Sequence, residues 1–306
     1  MTEAIIAIVL GLLGLALGGE LLVRGAVGIA RKLGISNLLT GLVIVGFATS
    51  MPEMVASVEA ALMGSPEIAW GNIAGSNLAN SLLILGATAL IAPIVVTGIG
   101  KRDAAIALGV SVLLWLIAFF QFGMFWIGAG LLGLLLAYIA WRYSHPQIAD
   151  HEEEGIPMPH LGLSIGLTAG GLVALVLGGQ SLVGGAIDIA RLAGLSETVI
   201  GLTIVAIGTS LPELAASAAA AFRGKPGLAI GNVVGSNIYN ILLIGGATMM
   251  IAPVPIPFEL VDVELPLVIG TAVLIWALLA RGQRIGRILG AVLLLGFTAT
   301  MAGQFV

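Results

Sequence analysis

Set residue n beside residue n+160 and the chain repeats itself without a gap from Leu17 to Pro93. Leu17-Gly18-Gly19 meets Leu177-Gly178-Gly179, and Ile29-Ala30-Arg31 meets Ile189-Ala190-Arg191. Thr49-Ser50-Met51-Pro52-Glu53 meets Thr209-Ser210-Leu211-Pro212-Glu213. Gly71, Asn72, Gly75, Ser76, Asn77 and Asn80 meet Gly231, Asn232, Gly235, Ser236, Asn237 and Asn240. A bias toward Gly, Ala and Leu would not bring Pro, Glu, Asn and Ser into register, so the chain is built from two copies of one unit.

That unit is made for lipid. The chain is 59% hydrophobic and 9% charged, where a soluble domain carries about 25% charged residues. Ten apolar runs stand out, at 4–23, 37–62, 67–91, 104–120, 123–142, 161–182, 197–222, 227–251, 264–280 and 286–303. A bilayer core of about 30 Å needs about 20 apolar residues as a helix, so each run is an expected span of an all-α integral membrane protein. No basic stretch precedes the first run, so no cleavable signal peptide is expected. The absence of Cys excludes disulfides, thiolate metal sites and Cys nucleophiles.

Five spans per half is an odd number, so the second half must enter the membrane upside down. The expected organisation is a first inverted repeat, 1–143, a polar linker, 144–160, and a second inverted repeat, 161–306. The linker holds Asp150, the run Glu152–Glu154 and all three histidines, His145, His151 and His160. Loops after odd-numbered spans hold Arg24, Arg31, Lys32, Lys101, Arg102, Arg142, Arg223, Lys225, Arg281, Arg284 and Arg287; the other loops and the termini hold only Arg191. The positive-inside rule then puts the linker in the cytoplasm and both termini outside, in a cell membrane. Trp70, Trp126, Trp141 and Trp276 read as interface anchors on the same logic.

Charged residues within spans are costly and usually functional. Glu53 and Glu213 each lie mid-span, one residue after a Pro. Pro52 and Pro212 have no N–H to give Ala48 and Gly208, so spans 2 and 7 are expected to be interrupted at Gly46–Ser50 and Ala206–Ser210. Freed carbonyls, the hydroxyls of Thr49, Ser50, Thr209 and Ser210, and two carboxylates would converge near the midplane, where inverted repeats meet. Such an all-oxygen set suits Ca2+, which takes six to eight oxygens at about 2.3–2.6 Å. Ser76 and Asn80, and Ser236 and Asn240, have the i, i+4 spacing that puts both on one helix face toward that site. Asn72, Asn77, Asn232 and Asn237 are expected to hydrogen-bond the broken backbones, and Gly71, Gly75, Gly231 and Gly235 to admit close helix approach. Glu20 lies four residues before Arg24, as a local ion pair or a gate contact would.

The motifs Ala-Thr-Ser-Met-Pro-Glu at 48–53 and Gly-Thr-Ser-Leu-Pro-Glu at 208–213, with the paired Gly-Asn-x-x-Gly-Ser-Asn-x-x-Asn segments, resemble the duplicated motifs (41–80 and 201–240) of the cation/Ca2+ exchanger superfamily. The resemblance is closest to the prokaryotic sodium/calcium exchangers and covers essentially the whole chain. It implies ten helices, a central diamond of four cation sites, and sliding of spans 1 and 6 over a rigid core. It also implies cation ligation by Thr49, Ser50, Glu53, Ser76 and Asn80, by Thr209, Ser210, Glu213, Ser236 and Asn240, and by main-chain oxygens near Gly46 and Ala206. Two positions depart from the pattern: Ala48 replaces a Gly, and Asn240 replaces the Asp of some such exchangers.

Two ionised carboxylates in a site of low dielectric are costly when empty. One Ca2+ neutralises both, and so do two Na+, which couples the flux of one ion to that of the other. Na+/Ca2+ antiport is the expected function, with H+-coupled divalent antiport as the alternative and a passive cation channel behind it. With no His in a span and no buried Asp pair expected, no enzyme chemistry is expected. No cofactor is expected besides the transported Ca2+ and Na+. The expected partners are cations and membrane lipid, not nucleic acid, and the working unit is expected to be a monomer.

Overall fold

The computed structural model describes residues 1–95, 100–145, 160–194, 206–282 and 284–303. Their regular secondary structure is helical, apart from one antiparallel bridge between Ile94 and Ile285. The first half runs α1 Thr2–Leu33, α2 Asn37–Thr49, α3 Met51–Leu62, α4 Pro66–Ile91, α5 Lys101–Phe119 and α6 Phe125–Ser144. The second runs α7 Leu161–Leu192, α8 Ala206–Thr209, α9 Leu211–Phe222, α10 Pro226–Ile251, α11 Glu259–Ala280 and α12 Arg287–Gly303. Seven of these helices are long and apolar enough to cross a membrane, and eight are if the bent pair α2 and α3 makes one span. The expected seventh span, 197–222, begins outside the described residues.

The repeat fixes local geometry as well as sequence. Pro66 and Pro226 open α4 and α10 at the first helical position, where a missing N–H costs nothing. Gly64 and Gly224 turn the chain into those helices at φ 79° and 67°, a region closed to most side chains. Ser36 caps α2 by accepting the Leu39 N–H at 3.2 Å.

α1 and α7 are longer than expected. Each is a 32-residue helix, about 48 Å at 1.5 Å per residue. Arg24, Arg31 and Lys32 therefore lie on α1 and not in a loop. Arg24 is accommodated by an ion pair with Glu20, one turn back, at 2.6 Å. The two helices pack antiparallel. A methyl built on Gly18 would stand 2.7 Å from the Leu175 nitrogen, and one on Gly178 would stand 2.8 Å from the Leu15 nitrogen. Only glycine permits that approach.

Two apolar clusters divide the interior. The larger joins α4, α5, α6, α10, α11 and α12 around Trp70, Leu78, Leu114, Leu131 and Ile238. The smaller joins α1, α7 and α9 around Leu15, Leu22, Leu175 and Ala216. α4 and α10 are the most enclosed long helices; α1, α6 and α7 are the least.

Two expectations are corrected here. Trp70 is no interface anchor: it is 1% exposed and its ring packs against Gly245. Arg142 is no loop charge. It is buried in α6 and donates to Asp103 at 2.7 Å, while the Tyr138 hydroxyl donates to the same oxygen at 3.0 Å.

Candidate cation site

Both Pro-Glu segments break their helices as their prolines require. α2 and α3 meet at 44° around Ser50, which sits at φ −80°, ψ 2°; Ser210 sits at φ −88°, ψ 3° between α8 and α9. Glu53 and Glu213 fall in the first turn after each break, and each is 2% exposed. Carboxylates there face the positive end of the helix dipole, which favours their charge.

One asparagine clamps each glutamate-bearing turn. Asn72 donates from Nδ2 to the Glu53 carbonyl at 3.3 Å and to Ser57 Oγ at 2.9 Å. Its repeat partner Asn232 donates to the Glu213 carbonyl at 3.2 Å and to Ser217 Oγ at 2.8 Å. Both amides thus bond the helix just after each break and not the carbonyls of Ala48 and Gly208, whose helical donors the prolines remove. Ser57 and Ser217 were not foreseen, although they stand in register one turn after each glutamate and the repeat alone could have marked them.

The halves interlock at this level. Thr49 Oγ1 lies 3.1 Å from Asn232 Oδ1 and 3.0 Å from the Val45 carbonyl, to both of which it can donate. The Glu213 carboxyl lies in reach of the Thr49 hydroxyl and feels the charge of Glu53. Ser236 Oγ donates to the Gly46 carbonyl over a long 3.5 Å. Ser76 Oγ donates to Asn72 Oδ1, also at 3.5 Å. Thr209 and Pro52 line a cavity of about 150 Å3 with Gly179, Gln180, Val183 and Pro212. Ser210 is buried at the second break, and Ala206 begins α8.

Asn80 and Asn240 sit at wide π-helical turns, Ala79–Ile84 and Asn240–Ile244, that interrupt α4 and α10. Another such turn, Gly41–Val45, precedes the first break. Single π turns collect at functional sites because they leave backbone groups unpaired and redirect side chains. No residue pattern announced them. Asn77 and Asn237 part company: Asn77 donates to the Ile73 carbonyl at 2.7 Å, whereas Asn237 bonds Asn80 and Ser81. Gly231 and Gly235 do admit the backbone of α2, but a methyl built on Gly71 or Gly75 meets nothing within 4 Å among the described residues.

Ser50 Oγ, Glu53 Oε2, Glu213 Oε2 and Asn240 Oδ1 are buried with no hydrogen-bond partner among the described residues. A buried acceptor left unpaired costs about 1–3 kcal/mol, more when charged. Four of them, two on carboxylates, form a set of oxygens that a cation would satisfy. No cluster of three or more His, Cys, Asp or Glu occurs among the described residues. A cation held here therefore has two carboxylates and otherwise neutral oxygens.

The family model described as sodium/calcium exchanger protein matches residues 3–144 and 163–306. The chain belongs to the sodium/calcium exchanger family. CaxA of Alkalimonas amylolytica is 38% identical over 310 residues, covering 97% of each chain. The sodium/calcium exchanger MaX1 of Methanosarcina acetivorans is 32% identical over 348 residues, covering 100% of this chain and 99% of its own. The fold matches a structure of the sodium-calcium exchanger NCX_Mj, soaked with zero Na+ and Ca2+, at TM-score 0.87 and 31% identity over 99% of both chains. The chain is thus a multi-pass cation/Ca2+ antiporter, and its relatives are transporters and not enzymes.

The exchanger is asymmetric about its candidate site. A methyl on Gly19 would stand 2.9 Å from the Ala215 carbonyl oxygen of α9, whereas one on its repeat partner Gly179 meets no atom closer than 3.9 Å among the described residues. Gly179 lines the cavity beside Thr209 and Pro52, and a larger cavity of about 320 Å3 lies on the other side, lined by Leu15, Glu20, Ala215, Ala219 and Arg223. Near Gly19, Glu20 pairs with Arg24 and also with Arg223 at the end of α9. The repeat partner of Glu20 is Gln180, which carries no charge. Glu20 is therefore more than a local pair, because it ties α1 to α9. Glu59, Glu67 and Asp188 are exposed and stand apart from this arrangement.

Proposed function

We propose that this chain exchanges Na+ for Ca2+ by alternating access, through one site between two inverted five-span halves, 1–143 and 161–306. The observation that carries the reading is the set of buried, unpartnered oxygens on Ser50, Glu53, Glu213 and Asn240. The ligands are Glu53 and Glu213, the side chains of Thr49, Ser50, Ser76, Asn80, Thr209, Ser210, Ser236 and Asn240, and main-chain oxygens at Gly46 and Ala206. Antiparallel packing of α1 on its own repeat partner α7 supports inversion. MaX1 and NCX_Mj, both described as exchangers of sodium and calcium, match over nearly the whole chain.

The coupling follows from charge. Glu53 and Glu213 together present two negative charges, and desolvating an uncompensated ion costs several kcal/mol. An empty site therefore resists occlusion, while Ca2+ or two Na+ neutralise it. 45Ca uptake into proteoliposomes loaded with Na+ should far exceed uptake into choline-loaded ones, and an imposed pH gradient should not replace Na+. Uptake driven by the pH gradient alone would make H+ the counter-ion, and uptake indifferent to internal ions would make the protein a channel.

The neutral oxygens carry less of the binding. Thr49→Ala and Thr209→Ala each delete one hydroxyl and should weaken apparent Ca2+ affinity several-fold without silencing transport, in keeping with a net hydrogen-bond-scale contribution of about 1 kcal/mol. If both variants match wild type in the Ca2+ dependence of uptake, the hydroxyls only pack helices.

The Lys and Arg pattern supports both termini outside and residues 144–160 in the cytoplasm. With no native Cys, His160→Cys gives a single label site. A membrane-impermeant maleimide should leave it unlabelled in intact cells and label it after permeabilisation. Labelling of intact cells would reverse the orientation.

A further inference from the structure

The two halves present the same Ser-x-x-x-Asn segment, yet they hold its asparagine differently. In the first half, Asn80 donates from Nδ2 to Asn237 Oδ1 at 3.0 Å, and Asn237 donates from Nδ2 to Ser81 Oγ at 3.0 Å. Asn80, Ser81 and Asn237 are 2%, 2% and 5% exposed, so water does not compete for these bonds. In the second half, the counterpart of Ser81 is Ile241, which has no hydroxyl. The counterpart of Asn237 is Asn77, whose amide turns back to the Ile73 carbonyl of its own helix. The oxygens of Asn77 and Asn240 are both buried without a partner among the described residues.

We infer that Ser81 and Asn237 are positioning residues that fix the side-chain oxygen of Asn80 as a cation ligand, and that Asn80 and Asn240 therefore contribute unequally to one site. The reason is the chemistry of the amide. Its planar end carries one oxygen that can bind a cation and one nitrogen that cannot. Committing Nδ2 to Asn237 decides which way the amide plane faces. Ser81 holds Asn237 in the matching orientation, since its oxygen accepts the Asn237 N–H and leaves the Asn237 oxygen for Asn80. The π turn at Ala79–Ile84 brings Asn80 and Ser81, adjacent in sequence, into contact with one residue of α10. A ligand held in this way loses less freedom when the ion arrives, and so contributes more to affinity. Asn240 has no such support and must be ordered by the ion itself.

This inference rests on the reading of Asn80 as a ligand, and the experiment separates the two. Ca2+ binding to purified protein is titrated calorimetrically, the Ca2+ dependence of Na+-driven 45Ca uptake is measured in proteoliposomes, and melting is followed without added Ca2+ or Na+. Asn80→Ala should weaken Ca2+ binding more than Asn240→Ala does. Ser81→Ala should raise the KM for Ca2+ about three- to tenfold, the range that one lost hydrogen bond spans, with the maximal rate unchanged. Ser81→Thr keeps the hydroxyl and should restore the affinity, while Ile241→Ala, at the mirrored position, should leave it alone. If Asn80→Ala binds Ca2+ as wild type does, the ligand reading itself fails. If Asn80→Ala is weak but Ser81→Ala is normal, the positioning role alone fails. A Ser81→Ala variant with lower melting temperature and rate but unchanged KM, or one not rescued by Thr, would make Ser81 a packing residue and overturn the inference.

Discussion

Replacing Glu53 or Glu213 with Gln should abolish Na+-driven Ca2+ uptake while leaving a folded protein. The two substitutions keep the shape of the side chain and remove one charge. They also spare the clamps, because Asn72 and Asn232 bond the backbone carbonyls of these residues and not their carboxyl groups. What is lost is one of two charges facing a divalent ion in a buried site. Truncating one partner of a buried charge pair costs about 2–5 kcal/mol, so Ca2+ affinity should fall at least about thirtyfold. The two variants should be alike, since each glutamate is 2% exposed and follows an equivalent break. The measurement is 45Ca uptake with melting of the same preparation as the control. Near-normal uptake by either variant would remove the central claim.

What the sequence made legible is what symmetry and backbone chemistry control. The register of the repeat placed Glu53 beside Pro52 and Glu213 beside Pro212, and a proline must interrupt the bond to the residue four before it. The breaks at Ser50 and Ser210 follow. The repeat marked Asn72 and Asn232 as paired polar groups, but they bond the Glu53 and Glu213 carbonyls after the breaks, and Asn77 and Asn237, equally in register, bond no broken backbone. Long-range pairings were not legible. Arg142 looked like a loop charge at the end of an apolar run, because its partner Asp103 lies 39 residues away. Trp70 looked like an anchor at the start of one, and only the absence of a side chain at Gly245, on α10, makes room for its ring. The π turns at Asn80 and Asn240 left no mark, since they depend on packing between α4 and α10 and not on local propensity.

Gly18→Leu and Gly178→Leu should each reduce transport more than tenfold, while Gly166→Leu and Gly170→Leu should be tolerated. All four add the same bulk to helices α1 or α7. They differ in what the new side chain meets. At Gly18 the first added carbon would lie 2.7 Å from the Leu175 nitrogen and 2.9 Å from the Gly171 oxygen; at Gly178 it would lie 2.8 Å from the Leu15 nitrogen. Carbon contacts settle at about 3.5–4.0 Å, and the obstructing atoms are backbone, which cannot rotate away. The helices would have to separate by about 1 Å before the rest of the leucine is placed. Overpacking of this kind costs about 1–3 kcal/mol or more. In lipid no hydrophobic force would press the pair back together, because small-residue packing is itself the main attraction between such helices. At Gly166 and Gly170 a methyl meets nothing within 4 Å among the described residues, so those leucines have room there. The pair also contributes the smaller apolar cluster with α9, so a splayed α1 carries Glu20 away from Arg223. Transport by Gly18→Leu at the wild-type rate, with Gly170→Leu as its control, would mean that α1 and α7 need not stay in contact during exchange.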